Sequence, residues 1–514
     1  MTDPPTRPRA GWLLLGVVTL VNVLALPREQ YIGDPVAIRL ETVQLLRTGV
    51  LGVPAEIGAR MGQRGQYFFE NRARGRWFSK YGLLNTLMYV PPLLAERLVT
   101  GSLPLVSPRR LAFLNAFNLL LALAAGAYLV ATVSLYTSGD ALKWVYVLSA
   151  FYATFWWNYV RAQAPEIYQT LFFIAFYYHL ARHLRGEGRR HLLLSTLYMS
   201  GLCLTKLSFL VLVPAVAVVL LAADREASRG GPPERARGLA AGLRPIVVGF
   251  VLPVAGLAVV LGLVSAYKFG SPLLTGYEQM VEERDLLGGD LLTGLYGFTL
   301  SAQGSMLLHF PLLLFALAGY PAFFRKRPAE TAAIVTFTVA LLLVNSRFKN
   351  WQGAAAYGPR YMLPVLPIAS LPFLEVLGWI RERRRPAAGA LAAAVIAVVL
   401  ASSVLLQHYV NALPFFAFHF ARNAVFVEDD GPEAQAFFGR PLGIVDRDLV
   451  RYWKGAAPLA VLEWEKTRAD PAAYASMRQG IAGVLRSNYL WFDIGPATPP
   501  RSSSSSTARR ARPG

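Results

Sequence analysis

A chain of 514 residues that is 54% hydrophobic and 16% charged lacks the polar surface to cover its apolar side chains in water, which excludes an ordinary soluble protein. Lys and Arg outnumber Asp and Glu by 51 to 31, a balance of +20 that would suggest nucleic acid in a soluble chain. Here the apolar residues come in blocks of about 20, enough to cross a bilayer as helix, and much of the basic charge falls in the loops between them. The single cysteine, Cys203, excludes a disulfide framework and a cysteine metal site.

Backbone groups in lipid must bond within the spanning segment, so the predicted fold class is an all-α polytopic membrane protein. The first apolar block, Trp12 to Pro27, has the length of a signal peptide. It lacks a small-residue cleavage site and is read as an uncleaved first span. Spans are expected near 11–28, 110–134, 141–159, 165–183, 191–206, 207–223, 245–268, 306–323, 330–346, 361–380 and 388–410, about eleven in all.

Short basic loops stay in the cytoplasm. This applies to "RHLRGEGRRH" (182–191), "REASRGGPPERARGLAAGLR" (225–244), "RKRP" (325–328) and "RERRRP" (381–386), and Arg7 and Arg9 place the N-terminus there too. These assignments agree only if the run Tyr81 to Val99, which carries Pro91 and Pro92, does not cross. Residues 29–109 are therefore expected to form one long external loop with interfacial helices. Segments 269–305 and 347–360 are also external. The transmembrane domain is expected to span 1–410. Residues 411–500, with Trp453, Trp464 and Trp491, should form a small external region, and "RSSSSSTARRARPG" (501–514) a disordered tail.

Several chemical signatures are missing. There is no GxxxxGKS/T loop and no convincing dinucleotide loop. His179 and His183 have i, i+4 spacing without the glutamate of a zinc helix, and read as a helix end. Asp446 and Asp448 in "VDRD" have a carboxylate spacing used for metals, but no surrounding α/β domain, and read as chance.

What remains is a set of charges at the external ends of spans. Asp34, in "YIGDPVAIRLETVQLLRTG", can cap a helix with Pro35 at its first position, the helix ending near Gly49. On sequence physics the cap is the preferred reading, and the other is a carboxylate held at the external surface. Lys80 and Tyr81 follow, then Arg109 and Arg110 at the start of the next span. Glu166 stands behind Pro165 at a helix start, where an acid is favourable in any case. Lys206, in "GLCLTKLSF", and Arg360, in "WQGAAAYGPRYMLPVLP", can be snorkelling side chains. Singly each has a structural explanation. Together they put one carboxylate at the first external turn and several cations at others, as a reaction with a lipid-phosphate leaving group needs.

These segments resemble the GT-C glycosyltransferases, which use polyprenyl-phosphate sugars and include the protein O-mannosyltransferases and the aminoarabinose transferases of lipid A. The resemblance covers about residues 11–380 in short motifs: "GDPVAIRLETVQLLRTG", "GRWFSKYGLLNTLMYVPPLL", "GLCLTKLSFLVLVP", "SAQGSMLLHFPLLLFALAGY" and "WQGAAAYGPRYMLPVLP". It implies a glycosyltransferase that moves a sugar from a polyprenyl-phosphate donor to a lipid, glycan or protein acceptor on the external face of the inner membrane. Asp34 would be the catalytic carboxylate, acting as general base. Lys80, Tyr81, Arg110, Glu166, Lys206 and Arg360 would bind the lipid phosphate or sugar, Glu166 as a secondary site residue. Many members have two adjacent acids after the first span, whereas here Pro35 follows Asp34, so neither metal nor cofactor is expected. The alternative is a transporter or lipid flippase, which would favour charges at mid-membrane rather than at span ends.

Overall fold

The computed structural model describes residues 8–27, 34–62, 67–103, 110–229, 246–277, 287–301, 304–349, 351, 353, 357–382 and 386–412. Helix dominates them. Four helices are long and apolar enough to cross a membrane, Ala112–Ser134, Val247–Phe269, Pro328–Ser346 and Ala387–Asn411, and the protein is membrane-integral. Some of the other expected spans are single helices, such as the 19 residues of Glu166–Leu184, and others are built from shorter pieces.

The first helix, α1 (Pro8–Leu24), is followed by the elements of the expected long loop: α2 (Asp34–Thr48), α3 (Ala55–Gly62), strands β1 (Phe68–Asn71) and β2 (Arg76–Ser79), and α4 (Leu83–Thr100). Gly49, at φ +71°, ends α2 where the sequence places its stop. The all-α expectation omitted the β1–β2 hairpin. Its strands are only four residues each, too short to declare an alternating pattern. They pair antiparallel from Phe68 opposite Ser79 to Asn71 opposite Arg76. Pro91 and Pro92 lie inside α4 without ending it.

Then come α5 (Arg110–Ser134), α6 (Asp140–Tyr152), α7 (Trp156–Ala162), α8 (Glu166–Leu184), α9 (Arg189–Thr205) and α10 (Leu212–Arg229). A π turn, Val247–Val251, leads into α11 (Leu252–Phe269), and its Gly249 carbonyl accepts the Thr196 hydroxyl of α9 at 2.8 Å. The described chain continues with α12 (Leu291–Thr299), α13 (Met306–His309), α14 (Pro311–Lys326), α15 (Pro328–Ser346), α16 (Leu366–Ala369), α17 (Phe373–Arg381) and α18 (Pro386–Ala412). The expected single helix over 361–380 is broken, because Pro364, Pro367 and Pro372 each remove a backbone donor. The helix expected over 141–159 is interrupted after Tyr152, and the one over 306–323 at Phe310 before Pro311.

Helix directions sort the charges into two ends. At 19 residues, α8 is about 28 Å long. Just past its C-terminus Arg185 grips Glu330 at 2.7 and 3.1 Å, while Lys326 and Arg327 hold Glu375 at 2.6 and 2.9 Å. The basic loops at 182–191 and 325–328 thus meet at one end of the bundle. From there α9 and α15 run back towards the Glu166 end. Two observations put the starts of both α4 and α5 at the Glu166 end. Tyr81, just before α4, bonds to Asp34 at 2.6 Å, and Asn115, in the second turn of α5, accepts from Gln163 at 2.8 Å. α2 and α4 lie side by side in parallel: Thr42 donates to the Thr86 carbonyl at 3.1 Å, and Arg97 to the Leu46 carbonyl at 2.8 Å.

Residues 104–109, 230–245 and 413–514 lie outside the described set, and with them the expected C-terminal region, its three tryptophans, the tail, and Asp446 and Asp448.

Candidate functional site

Asp34 opens α2, and its carboxylate is shared by two donors. The Tyr81 hydroxyl donates to Oδ1 at 2.6 Å, and Arg360 Nη2 stands 3.3 Å from Oδ2. Asp34 keeps about a quarter of its side-chain surface, 25%, while Arg360 keeps 16% and Glu166 9%, so the group is largely but not wholly shielded. Arg360 begins a single 3₁₀ turn, Arg360–Met362, and its Nε lies 3.8 Å from Glu166 Oε1. Glu166 is brought there by Gln163, the only described non-glycine residue with positive φ (56°), which turns the chain between α7 and α8.

Two lysines border this group. Lys206 joins α9 to the short turn Leu207–Val211, and its ammonium sits 3.3 Å from the centre of the Tyr361 ring and 5.5 Å from that of Phe348. Lys80 lies between β2 and α4. Its backbone N–H bonds to the Tyr67 carbonyl at 3.1 Å, and its ammonium is 5.2 Å from the Tyr277 ring. Gly82 follows Tyr81 and touches the last turn of α9. A Cβ there would overlap the Leu204 carbonyl, so only glycine lets the Lys80–Tyr81 segment reach this depth.

Burial opposes ionisation of Asp34, but Arg360, Lys80, the Tyr81 hydroxyl and Lys206 together outweigh it and hold the carboxyl below its ordinary value of 3.8. The Tyr81 phenol is pushed well up by burial and by the neighbouring Asp34 charge, so it stays a donor. Lys80, Lys206 and Arg360 stand against Asp34 and Glu166, three basic side chains to two acidic ones. Two buried atoms, Glu166 Oε2 and Arg360 Nε, have no hydrogen-bond partner among the described residues. Buried polar atoms of that kind are costly unless something bonds them. The arrangement can thus hold an anion beside an ionised carboxylate and still offer one acceptor and one donor.

No family model matches this chain, and no curated protein matches it. Among solved structures it is similar to ArnT from Cupriavidus metallidurans in the apo state, at 15% identity and a TM-score of 0.47 over 93% of this chain and 81% of that one. It is also similar to the same protein bound to undecaprenyl phosphate, at 15% identity and a TM-score of 0.43 over 92% and 80%. A third is the Archaeoglobus fulgidus oligosaccharyltransferase in the apo form, at 11% identity and a TM-score of 0.48, where the match spans 85% of this chain and 60% of the other.

Of the residues expected from sequence, Asp34, Tyr81, Glu166 and Arg360 are in direct contact or ion-pair range, and Lys80 and Lys206 act on Asp34 through their charge. Arg110 opens α5, but its side chain lies outside the described residues. His179 Nδ1 lies 2.9 Å from His191 Nδ1, while His183 approaches the Gly188 carbonyl instead. No group of three potential metal ligands occurs among the described residues.

Sequence reasoning missed Tyr361, Gly82, Glu41, Ser79 and Lys268. Glu41 had a readable signal: it stands seven residues after Asp34, two turns along the same helical face. Lys268 closes the apolar block of α11, where a lysine reads as a snorkelling side chain, and nothing local separates the two cases.

Proposed function

We propose that this protein is a membrane glycosyltransferase that takes a sugar from a polyprenyl-phosphate donor. The observation that carries the reading is the Asp34 carboxylate bonded by Tyr81 and Arg360, with the basic side chains of Lys80 and Lys206 acting on it from either side. A lipid phosphate is an anion suited to this group of basic side chains. Lys80, Lys206 and Arg360 bind it and stabilise it most as the sugar–oxygen bond breaks and charge builds on the leaving oxygen.

The acceptor's nucleophilic atom bonds to the anomeric carbon, the bonding pair of the departing bond stays on the phosphate, and the acceptor proton passes to Asp34. A carboxyl held below its ordinary range is a weak base in the empty site. Donor phosphate draws on the same cations and so raises the proton affinity of Asp34 when the acceptor needs it. Glu166 Oε2, without a partner among the described residues, is suited to accept from a sugar hydroxyl.

The site would face the outside. The basic loops gather at the opposite end of α8, which is the end expected in the cytoplasm. The starts of α4 and α5 at the same end of the bundle agree with a first loop that does not cross.

The test is lipid and glycan analysis of cells lacking the gene, complemented with wild type or with Asp34→Asn. Loss of one sugar from a glycolipid, polymer or protein, restored by wild type only, supports the reading. Full restoration by Asp34→Asn would falsify it.

A further inference from the structure

Beneath the site lies a buried ion pair that the reaction itself does not use. Glu41 of α2 and Lys268 of α11 are 0% and 1% exposed, with Lys268 Nζ 3.4 Å from Glu41 Oε2. Most of their remaining bonds go to Ser79 and Tyr81, the residues on either side of Lys80. Glu41 accepts from the Ser79 N–H at 3.2 Å and from the Ser79 hydroxyl at 2.5 Å. Lys268 donates to the Tyr81 carbonyl at 2.8 Å and reaches Ser79 Oγ at 3.4 Å. Thr86 of α4 adds a bond to Glu41 at 3.1 Å, and Asn71 of the hairpin donates to the Lys268 carbonyl at 3.1 Å. Ser79, Lys80 and Tyr81 thus have no slack: the pair holds the two outer residues, and the Tyr67 carbonyl holds the middle one.

We infer that Glu41 and Lys268 are positioning residues, which lock the Ser79–Tyr81 backbone so that the Lys80 ammonium and the Tyr81 hydroxyl are aimed at Asp34 and a bound lipid phosphate. A buried pair is a weak device for stability alone, because well-packed apolar residues of similar volume do as well. Its particular value here is geometric. Lys80 leaves a short segment between a two-stranded hairpin and a helix start, and such a connection has freedom unless something pins it. The pair pins it from two directions, α2 below and α11 beside. This inference rests on the lipid-phosphate reading for its functional part, but the locking of residues 79–81 can be measured without any ligand.

The experiment uses full-length protein in lipid nanodiscs and two variants. Glu41→Gln/Lys268→Met removes both charges together, so no lone charge is left buried. Ser79→Ala keeps both charges. Three measurements are made: thermal midpoint, amide hydrogen exchange of the peptide covering residues 79–82, and binding of undecaprenyl phosphate as the probe. The expected result for the double variant is faster exchange over 79–82 and about tenfold or more weaker binding, at a thermal midpoint close to wild type. Ser79→Ala should show the same pattern to a smaller degree, and it serves alone if the double variant does not fold. Wild-type exchange over 79–82 in the folded variants overturns the inference, and so does faster exchange with unchanged phosphate affinity. Wild type that binds no undecaprenyl phosphate overturns the lipid-phosphate reading instead, while the exchange result still decides whether the pair locks the segment.

Discussion

Arg360 stands 3.3 Å from Asp34 although the two lie near opposite ends of the described chain, one opening the 3₁₀ turn after Pro359 and the other the first turn of α2. The pairing favours the ionised form of Asp34 against the burial that opposes it. Asp34→Asn keeps the helix start, since asparagine is accepted there as well as aspartate. Transfer to any acceptor should fall about 100-fold or more while expression and thermal midpoint hold, because the proposed general base is lost. Radiolabelled sugar transfer by purified protein checks this, and an Asn variant with wild-type rates would remove Asp34 from the chemistry.

Arg360 has two carboxylates to lose. Arg360→Ala leaves Asp34 and Glu166 without their common counter-charge and removes a donor to the proposed phosphate. Donor binding should weaken by about 1.5–3 kcal/mol, the usual worth of a hydrogen bond to a charged group. Arg360→Lys restores the charge but not the planar fork that reaches both acids, so recovery should be partial. Titration of undecaprenyl phosphate into the three proteins decides it, and equal affinities would put the phosphate elsewhere.

Tyr81→Phe tests the acid side of the pH profile. Burial raises the Asp34 value, and Arg360, Lys80, Tyr81 and Lys206 bring it below 3.8. For a carboxylate depressed on folding, the stabilisation is complete above the ordinary value and disappears as pH falls through the folded one. Wild-type protein should therefore keep this contribution throughout the neutral and mildly acidic range. Removing the Tyr81 hydroxyl raises the Asp34 value, so the acid limb of both the activity and the stability profile should move to higher pH. Thermal midpoints and rates across a pH series check the direction. A limb that stays in place or moves down would show that the phenol does not act on Asp34.

Gly82→Ala is a packing test with a functional readout. The added methyl overlaps the Leu204 carbonyl, which belongs to the last turn of α9 and cannot turn aside like a side chain. The expected cost is about 1–3 kcal/mol, as for other overpacked sites. Because Lys80 and Lys206 flank the contact from either side, donor binding should fall as well. An alanine variant of wild-type stability and affinity would mean that the two segments do not meet this closely.

Topology can be read with cysteine labelling in a background where the buried Cys203 is replaced. Exposed Ser102, after α4, and exposed Arg190, at the start of α9, belong to opposite sides of the expected arrangement. A membrane-impermeant thiol reagent on intact cells should label Ser102→Cys and spare Arg190→Cys until the membrane is opened. The reverse pattern would turn the site to the cytoplasm.

Membrane integration was determined by sequence alone, because a 20-residue apolar block has no other stable setting. The stop of α2 at Gly49 was equally local, as was the placing of the basic loops at 182–191 and 325–328 on one side. Five charged positions, Asp34, Lys80, Glu166, Lys206 and Arg360, were legible because each breaks apolar sequence at an element end. That they meet, and at what distances, was decided only by tertiary structure. Ion pairing depends on the path of helices many residues apart, and no local pattern encodes that path. The broken helix after Arg360 and the β1–β2 hairpin escaped for a related reason: apolar runs of similar composition can form one helix, several turns or a short strand, and neighbouring packing chooses among them. Glu41 and Lys268 show the limit most clearly. One looks like any helix-face acid and the other like any span-end lysine, and only α11 packing beside the first loop turns them into a buried pair.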